Sequence, residues 1–300
     1  MVLRYLIFIV LIKTSHIGEE MTENTNPLAD FYRNAKLYVA LPSGTAYYTP
    51  DIIEMPEVGE LPVFPMTAKD DLLTKNPDAL LNGDAVIKLV KSCVPAIKKP
   101  AELLAPDMEA ILIAIRQASS KSGAMDITRD CPECETENSA TLDLAYALAN
   151  SQEVKAFEEI VLSNGLVVVI TPTNYLHTIQ GAKAVIEQNR NFRNVDASNS
   201  DEQLKALGDA LEKLTALNYE VILNSIKSIT IPDGETVTDS KLINDFVDNA
   251  EKEIGMELND AVAKINNGGV QKEFDMECDN CGHKYVTPIN YDPVGFFLNS

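Results

Sequence analysis

Of 300 residues, 45 are acidic and 25 basic, a formal charge of −20, which argues against a phosphate-binding surface because nucleic-acid affinity rests on Lys and Arg displacing counterions. With no tryptophan and 6% aromatic residues, the chain offers no stacking platform for bases. The 45% hydrophobic and 23% charged residues are those of a globular chain of about one to three domains that builds its core without disulfides.

The chain opens on MVLRYLIFIVLIKTSHIGEE. The apolar run after Arg4 is too short to span a bilayer and lacks a small-x-small cleavage site. Gly18, Glu19 and Glu20 require purine-rich codons just before Met21. Residues 1–20 are therefore expected to be mis-assigned upstream translation or a leader, with a signal peptide or anchor as the alternative. Residues 21–66 read as a flexible start and a β-hairpin or extended arm. Two β-rich runs flank Pro42-Ser43-Gly44, a hairpin signal, and EVGELPVFPM reads as extended.

Residues 67–122 read as a helical domain, with helices over about 67–75, 78–92 and 106–120. Thr67 with Asp70 resembles a capping box. Met108, Ile111, Leu112 and Ile115 share one face of the third helix. Cys93, in AVIKLVKSCVP, reads as a small buried hydrophobe.

DCPEC then places Cys131 and Cys134 in a Cys-x-x-Cys turn, and CDNCGHKYV repeats the pattern at Cys278 and Cys281. Two such turns make a closed four-thiolate site of the structural zinc type, with no position left for a catalytic water. Residues 135–277 separate the two turns, against roughly 12–20 residues in an ordinary ribbon. The expectation is one zinc ribbon split by an inserted domain, holding one zinc ion. Separate disulfides, or two sites completed by histidine, are the rival readings. The histidines are only His16, His177 and His283, and iron competes with zinc for four thiolates.

Between the knuckles, ENSATLDLAYAL reads as a returning strand whose alanines permit helix. Ser163-Asn164-Gly165 predicts a type I′ hairpin. Residues 173–269 read as a helical insertion. Within it Leu204, Leu207, Leu211, Leu214 and Leu217 form an apolar stripe, with core packing as the default reading and a partner helix as the other. The ribbon domain is placed at 123–172 and 270–300. The expected fold class is α+β: mainly helical, with β-hairpins and a split four-cysteine zinc ribbon interrupted by a helical insert.

No phosphate loop, nucleophile elbow or His-Glu-x-x-His helix is present, and His177 stands alone in the body. No catalytic or organic cofactor-binding residue is assigned, and the chain is not expected to be an enzyme.

The order LPSGTAYYTPDII, FPMTAKDDLLTKNPDALLNGDAVIKLVKSCVP, APDMEAILIAIRQAS, GAMDITRDCPEC and CDNCGHKYVTPINYDPVGFF resembles the baseplate hub subunit and hub assembly proteins of T4-like tailed bacteriophages. The likeness covers most of the chain from about residue 36 and is weakest over the acidic helical insert. It implies a protein of the host cytoplasm during assembly, and of the virion tail baseplate, that works by contacts with other baseplate hub proteins and not at a membrane. From its pattern only Cys131, Cys134, Cys278 and Cys281 carry over as site residues. The alternative class is a zinc-ribbon nucleic-acid binder or regulator, whose only footing is a basic patch at Lys98, Lys99 and Arg116.

Overall fold

Proline and glycine set most element boundaries in the computed structural model, which describes residues 26, 28–183, 200–289, 291 and 293–298. The leader expected over 1–20, the start at Met21, His16 and the helix expected past residue 183 lie outside these. Up to Arg33 the described residues form a 3-10 turn, Ala29–Phe31, preceded by the Asn26 side chain, which accepts the Leu28 N–H at 3.0 Å.

From Asn34 onward, helix and strand are gathered around two hydrophobic cores. In the first, β1 (Leu37–Val39) pairs antiparallel with β2 (Leu61–Val63). The hairpin expected around Pro42-Ser43-Gly44 does not form. Gly44 closes a turn onto the Leu41 carbonyl, and the following run is held by Tyr48, whose hydroxyl donates to Asp107 and accepts the Leu104 N–H at 2.9 Å. That arm caps α4 (Ala105–Ser119), whose N-cap residue Leu104 offers no side-chain hydrogen bond of its own. Asp107 also accepts the Ser43 N–H at 2.9 Å, so a fully buried carboxylate is satisfied from a segment about sixty positions away.

Ahead of α4, the capping box forms as expected. In α1 (Ala68–Thr74) the Thr67 and Asp70 side chains each accept the other's backbone N–H. The helix expected over 78–92 is two helices, α2 (Pro77–Leu81) and α3 (Asp84–Cys93). Gly83 divides them: its φ is +76°, and a Cβ there would lie 2.3 Å from the Ile179 side chain, so only glycine fits both the backbone and the neighbour. α4 is buried well beyond one face, since Ala110, Ile113 and Ala114 are as inaccessible as Ile111 and Ile115. It is the central element of the first core, enclosed by β1, β2, α3 and α5 (Leu144–Ala149). Cys93 is fully buried there, as expected.

Two hairpins project from this core. β3 (Ala124–Asp130) pairs with β4 (Glu137–Asp143), and β9 (Glu273–Glu277) with β10 (Lys284–Pro288). ENSATLDLAYAL is thus strand and then helix, with Asp143 as the N-cap accepting from Ala145 and Tyr146.

The second core lies beneath a four-stranded antiparallel sheet in the order β5 (Glu158–Val161), β6 (Val167–Ile170), β7 (Ile226–Thr230), β8 (Thr236–Val237). Residues 158–170, grouped with the ribbon in the sequence reading, therefore pair with 226–237, inside the segment expected to be helical. The β5–β6 turn is not type I′. Only Gly165 has positive φ (+85°), and the Gly165 N–H meets the Leu162 carbonyl at 2.9 Å, the three-residue loop ending in a left-handed glycine.

Three helices complete that core: α7 (Ser200–Ser225), α8 (Ser240–Asn249) and α9 (Lys252–Asn266), following α6 over residues 175–183. Ile254, Leu258, Val262 and Ile265 line one face of α9, and Ile243 and Val247 one face of α8. The leucine stripe of α7 is not in the core: Leu207, Leu211 and Leu214 are 47%, 57% and 41% exposed. The segments that leave and re-enter the first core lie side by side, since the Thr173 N–H and hydroxyl both donate to Asn266 Oδ1 at 2.9 and 3.0 Å. α10 (Pro293–Leu298) returns Phe296 and Phe297 to the first core.

Candidate metal centre

Each Cys-x-x-Cys turn caps one of the projecting hairpins, and the two turns follow one hydrogen-bond plan. In the first, the Cys131 N–H meets the Thr136 carbonyl and the Glu135 N–H meets the Cys131 carbonyl, both at 2.9 Å. In the second, the Cys278 N–H meets the His283 carbonyl and the Gly282 N–H meets the Cys278 carbonyl, again both at 2.9 Å. The residue after the second cysteine has positive φ in both, +57° at Glu135 and +70° at Gly282. This winding turns both sulfurs of a knuckle to the same side.

The hairpins bring the four sulfurs together. Cys131, Cys134, Cys278 and Cys281 lie with their Sγ atoms all within 4.8 Å of one another. Cys131 faces Cys281 at 3.7 Å and Cys134 faces Cys278 at 3.6 Å. A tetrahedron of thiolates bonded to an ion at roughly 2.3 Å has edges of roughly 3.8 Å, so these separations fit a four-coordinate ion. They are far longer than a sulfur–sulfur bond of about 2.05 Å, and none of these four cysteines is in a disulfide. Among the described residues no histidine joins the cluster. His283 contributes its carbonyl to the turn while its ring stacks on Tyr285.

Polar side chains bridge the two knuckles. Asn138, buried on β4, donates from Nδ2 to Cys278 Sγ at 3.6 Å and to the Thr136 carbonyl at 2.7 Å, and its Oδ1 accepts the Asp279 N–H at 2.9 Å. Asn280 reaches the other way, to Cys134 Sγ at 3.7 Å and Thr136 Oγ1 at 3.1 Å. Such contacts orient ligands and spread thiolate charge. Neither asparagine was marked by the sequence reading. The available signal was register: Asn138 occupies the inward-facing set of β4 that also holds Leu142.

The electrostatics of the cluster are compatible with a cation. Hydrogen bonding with the Thr136 hydroxyl, then its N–H, holds the Cys134 thiol down to about 6. The Cys281 and Asn280 N–H groups lower Cys278. The His283 N–H favours the Cys281 thiolate, but Cys134, burial, Cys278 and Cys131 outweigh it and push Cys281 up to about 12. Four thiolates this close cannot all ionise unless a positive ion sits among them. The donor set, all sulfur and closed, suits zinc or iron.

Lys98, Lys99 and Arg116 do not form an open basic patch. Lys98 pairs with Glu54 at 2.9 Å, Lys99 with Asp51 at 2.7 Å, and the Arg116 guanidinium is buried with its carbon 4.8 Å from the centre of the Phe296 ring. His177, on α6, is half-buried, and burial together with Lys227 holds its imidazole below the usual range. Among the described residues no helix is long and apolar enough to cross a membrane.

A family model described as "T4 bacteriophage base plate protein" matches residues 53–298, a span that includes both knuckles, the whole second core and the first core except its part before residue 53. No curated protein and no solved structure matches the chain.

Proposed function

This chain belongs to the T4 bacteriophage base plate protein family, and on that premise we propose that it is a hub subunit or hub assembly factor of the tail baseplate. In this reading it acts through contacts with other hub proteins and carries no catalytic residues. The observation that supports it most directly is the family match over 53–298. The charge of −20 and the paired or buried state of Lys98, Lys99 and Arg116 speak against the nucleic-acid-binding alternative.

One zinc ion bound by Cys131, Cys134, Cys278 and Cys281 would be structural. It would join two hairpins that are distant in sequence, and its binding free energy would add to that of folding. Co-expression with the other baseplate proteins tests the hub role: a stable complex with a hub protein, unchanged by nuclease and by moderate salt, is expected. Salt-sensitive DNA binding without such a complex would overturn it. Elemental analysis is expected to give one zinc per chain, and a coloured iron–thiolate spectrum would reassign the metal.

A further inference from the structure

Three of the four clustered sulfurs have polar company. Asn138 donates to Cys278, the Thr136 hydroxyl and the Asn280 amide reach Cys134, and the His283 N–H favours the Cys281 thiolate. Cys131 is the exception. It is buried, and among the described residues its sulfur meets no side-chain N–H or O–H, only the Cys281 sulfur at 3.7 Å. A buried charge is stabilised by hydrogen bonds as well as by its counter-ion, so this ligand lacks what the others have.

A donor without an acceptor lies in the same layer. Tyr285, four residues after Cys281, stands in the inward-facing set of β10 with Thr287, opposite Met276 across the hairpin. Its ring stacks on His283, while its hydroxyl is enclosed by protein with no hydrogen-bond partner. Burial, then the charges of Cys131 and Cys278, push this phenol up, so both sulfurs lie within electrostatic reach of its oxygen. Of these two, Cys278 already holds Asn138. The Asn138 amide has no hydrogen to spare for the phenol, since both are spent on Cys278 and on the Thr136 carbonyl.

We propose that Tyr285 is a positioning residue of the metal centre, its hydroxyl donating to the Cys131 thiolate when the cluster is loaded. The proposal rests on the reading of the four cysteines as a metal site. It completes a reciprocal arrangement. Asn138, on the first hairpin, holds the leading cysteine of the second knuckle, and Tyr285, on the second hairpin, holds the leading cysteine of the first. Each hairpin thereby fixes a ligand that belongs to the other, as outer groups around a metal commonly do.

Titration of the full chain with zinc and with cobalt ions against a chelator tests this in Tyr285→Phe, which keeps the ring and loses only the hydroxyl. Metal affinity is expected to fall about tenfold or more. The sulfur-to-cobalt charge-transfer bands are expected to move to longer wavelength, and Cys131 of the loaded chain to react faster with a thiol reagent than in wild type. The metal-free variant is expected to be at least as stable as wild type, because a buried hydroxyl without a partner contributes no bond to lose. A merely structural role would lower that stability instead. Tyr38→Phe, at an exposed position of β1, is expected to change none of these. A wild-type chain that takes up neither metal overturns the metal centre and the proposal with it. Wild-type binding that Tyr285→Phe matches overturns the role of Tyr285 alone. An affinity loss that disappears in the Asn138→Ala background gives the hydroxyl to Asn138 and overturns its assignment to Cys131.

Discussion

The Cys131 knuckle turns at Glu135 with φ +57°, and the Cys278 knuckle turns at Gly282 with φ +70°, inside the same two backbone hydrogen bonds. Glycine adopts that conformation freely, whereas a residue with a Cβ adopts it at a cost. The surroundings differ too. Asn138 is buried between the turns and grips Cys278, while Asn280 is exposed beside Cys134. What makes a knuckle here is therefore the hydrogen-bond plan and the direction of its sulfurs, and the turn residue adjusts how well the plan is held.

The largest effect is expected from removing a sulfur. Cys131→Ser and Cys278→Ser each take out a buried ligand, and metal affinity should fall by more than the roughly 10–100-fold typical of outer-shell changes. Competition with a chelator measures it. Each variant should also expose the cysteines of the opposite knuckle to a thiol reagent, which two independent sites would not do. Cys281→Ser, at the exposed corner of the cluster, should leave the apo chain less perturbed than Cys131→Ser.

Next comes the bridge. Asn138→Ala removes a donor to Cys278 and the acceptor for Asp279, and should weaken metal binding about tenfold or more. Asn280→Ala should cost less, because water can replace an exposed donor. Equal losses in the two variants would contradict the asymmetry. The smallest effects lie at the turns. Glu135→Gly should stabilise the metal-loaded protein by about 1 kcal/mol and Gly282→Ala should destabilise it by about the same amount, read from thermal or denaturant midpoints. No atom lies within 4 Å of the Cβ position at Gly282, so that second change reports the backbone alone.

Much of this centre was legible in the sequence because Cys-x-x-Cys spacing encodes the local turn. That the two turns come together followed only from counting thiolates. Asn138 was not legible, since a polar residue in a strand is ordinary until its register is known. Elsewhere local signals were overruled by tertiary ones. Asn82 and Gly83 fall within an amphipathic run, yet the approach of Ile179 to Gly83 breaks the helix there. β7 follows α7 without a linker, and the apolar residues from Val221 to Ile231 do not reveal where a helical period gives way to a strand. The α7 leucines match a core stripe in spacing, and only exposure separates them from one.

The 144 positions from Cys134 to Cys278 also have a meaning in time. A ribosome adding about 5–20 residues per second takes roughly 7–30 seconds to cover them. Throughout that interval the nascent chain displays two thiols of a four-thiol site, open to stray metals and oxidants, while the first hairpin waits for its counterpart. Capture of a metal by all four thiols would thus wait until the whole second core, though not all of the first, has been made. A chain released before residue 278 lacks the second knuckle altogether.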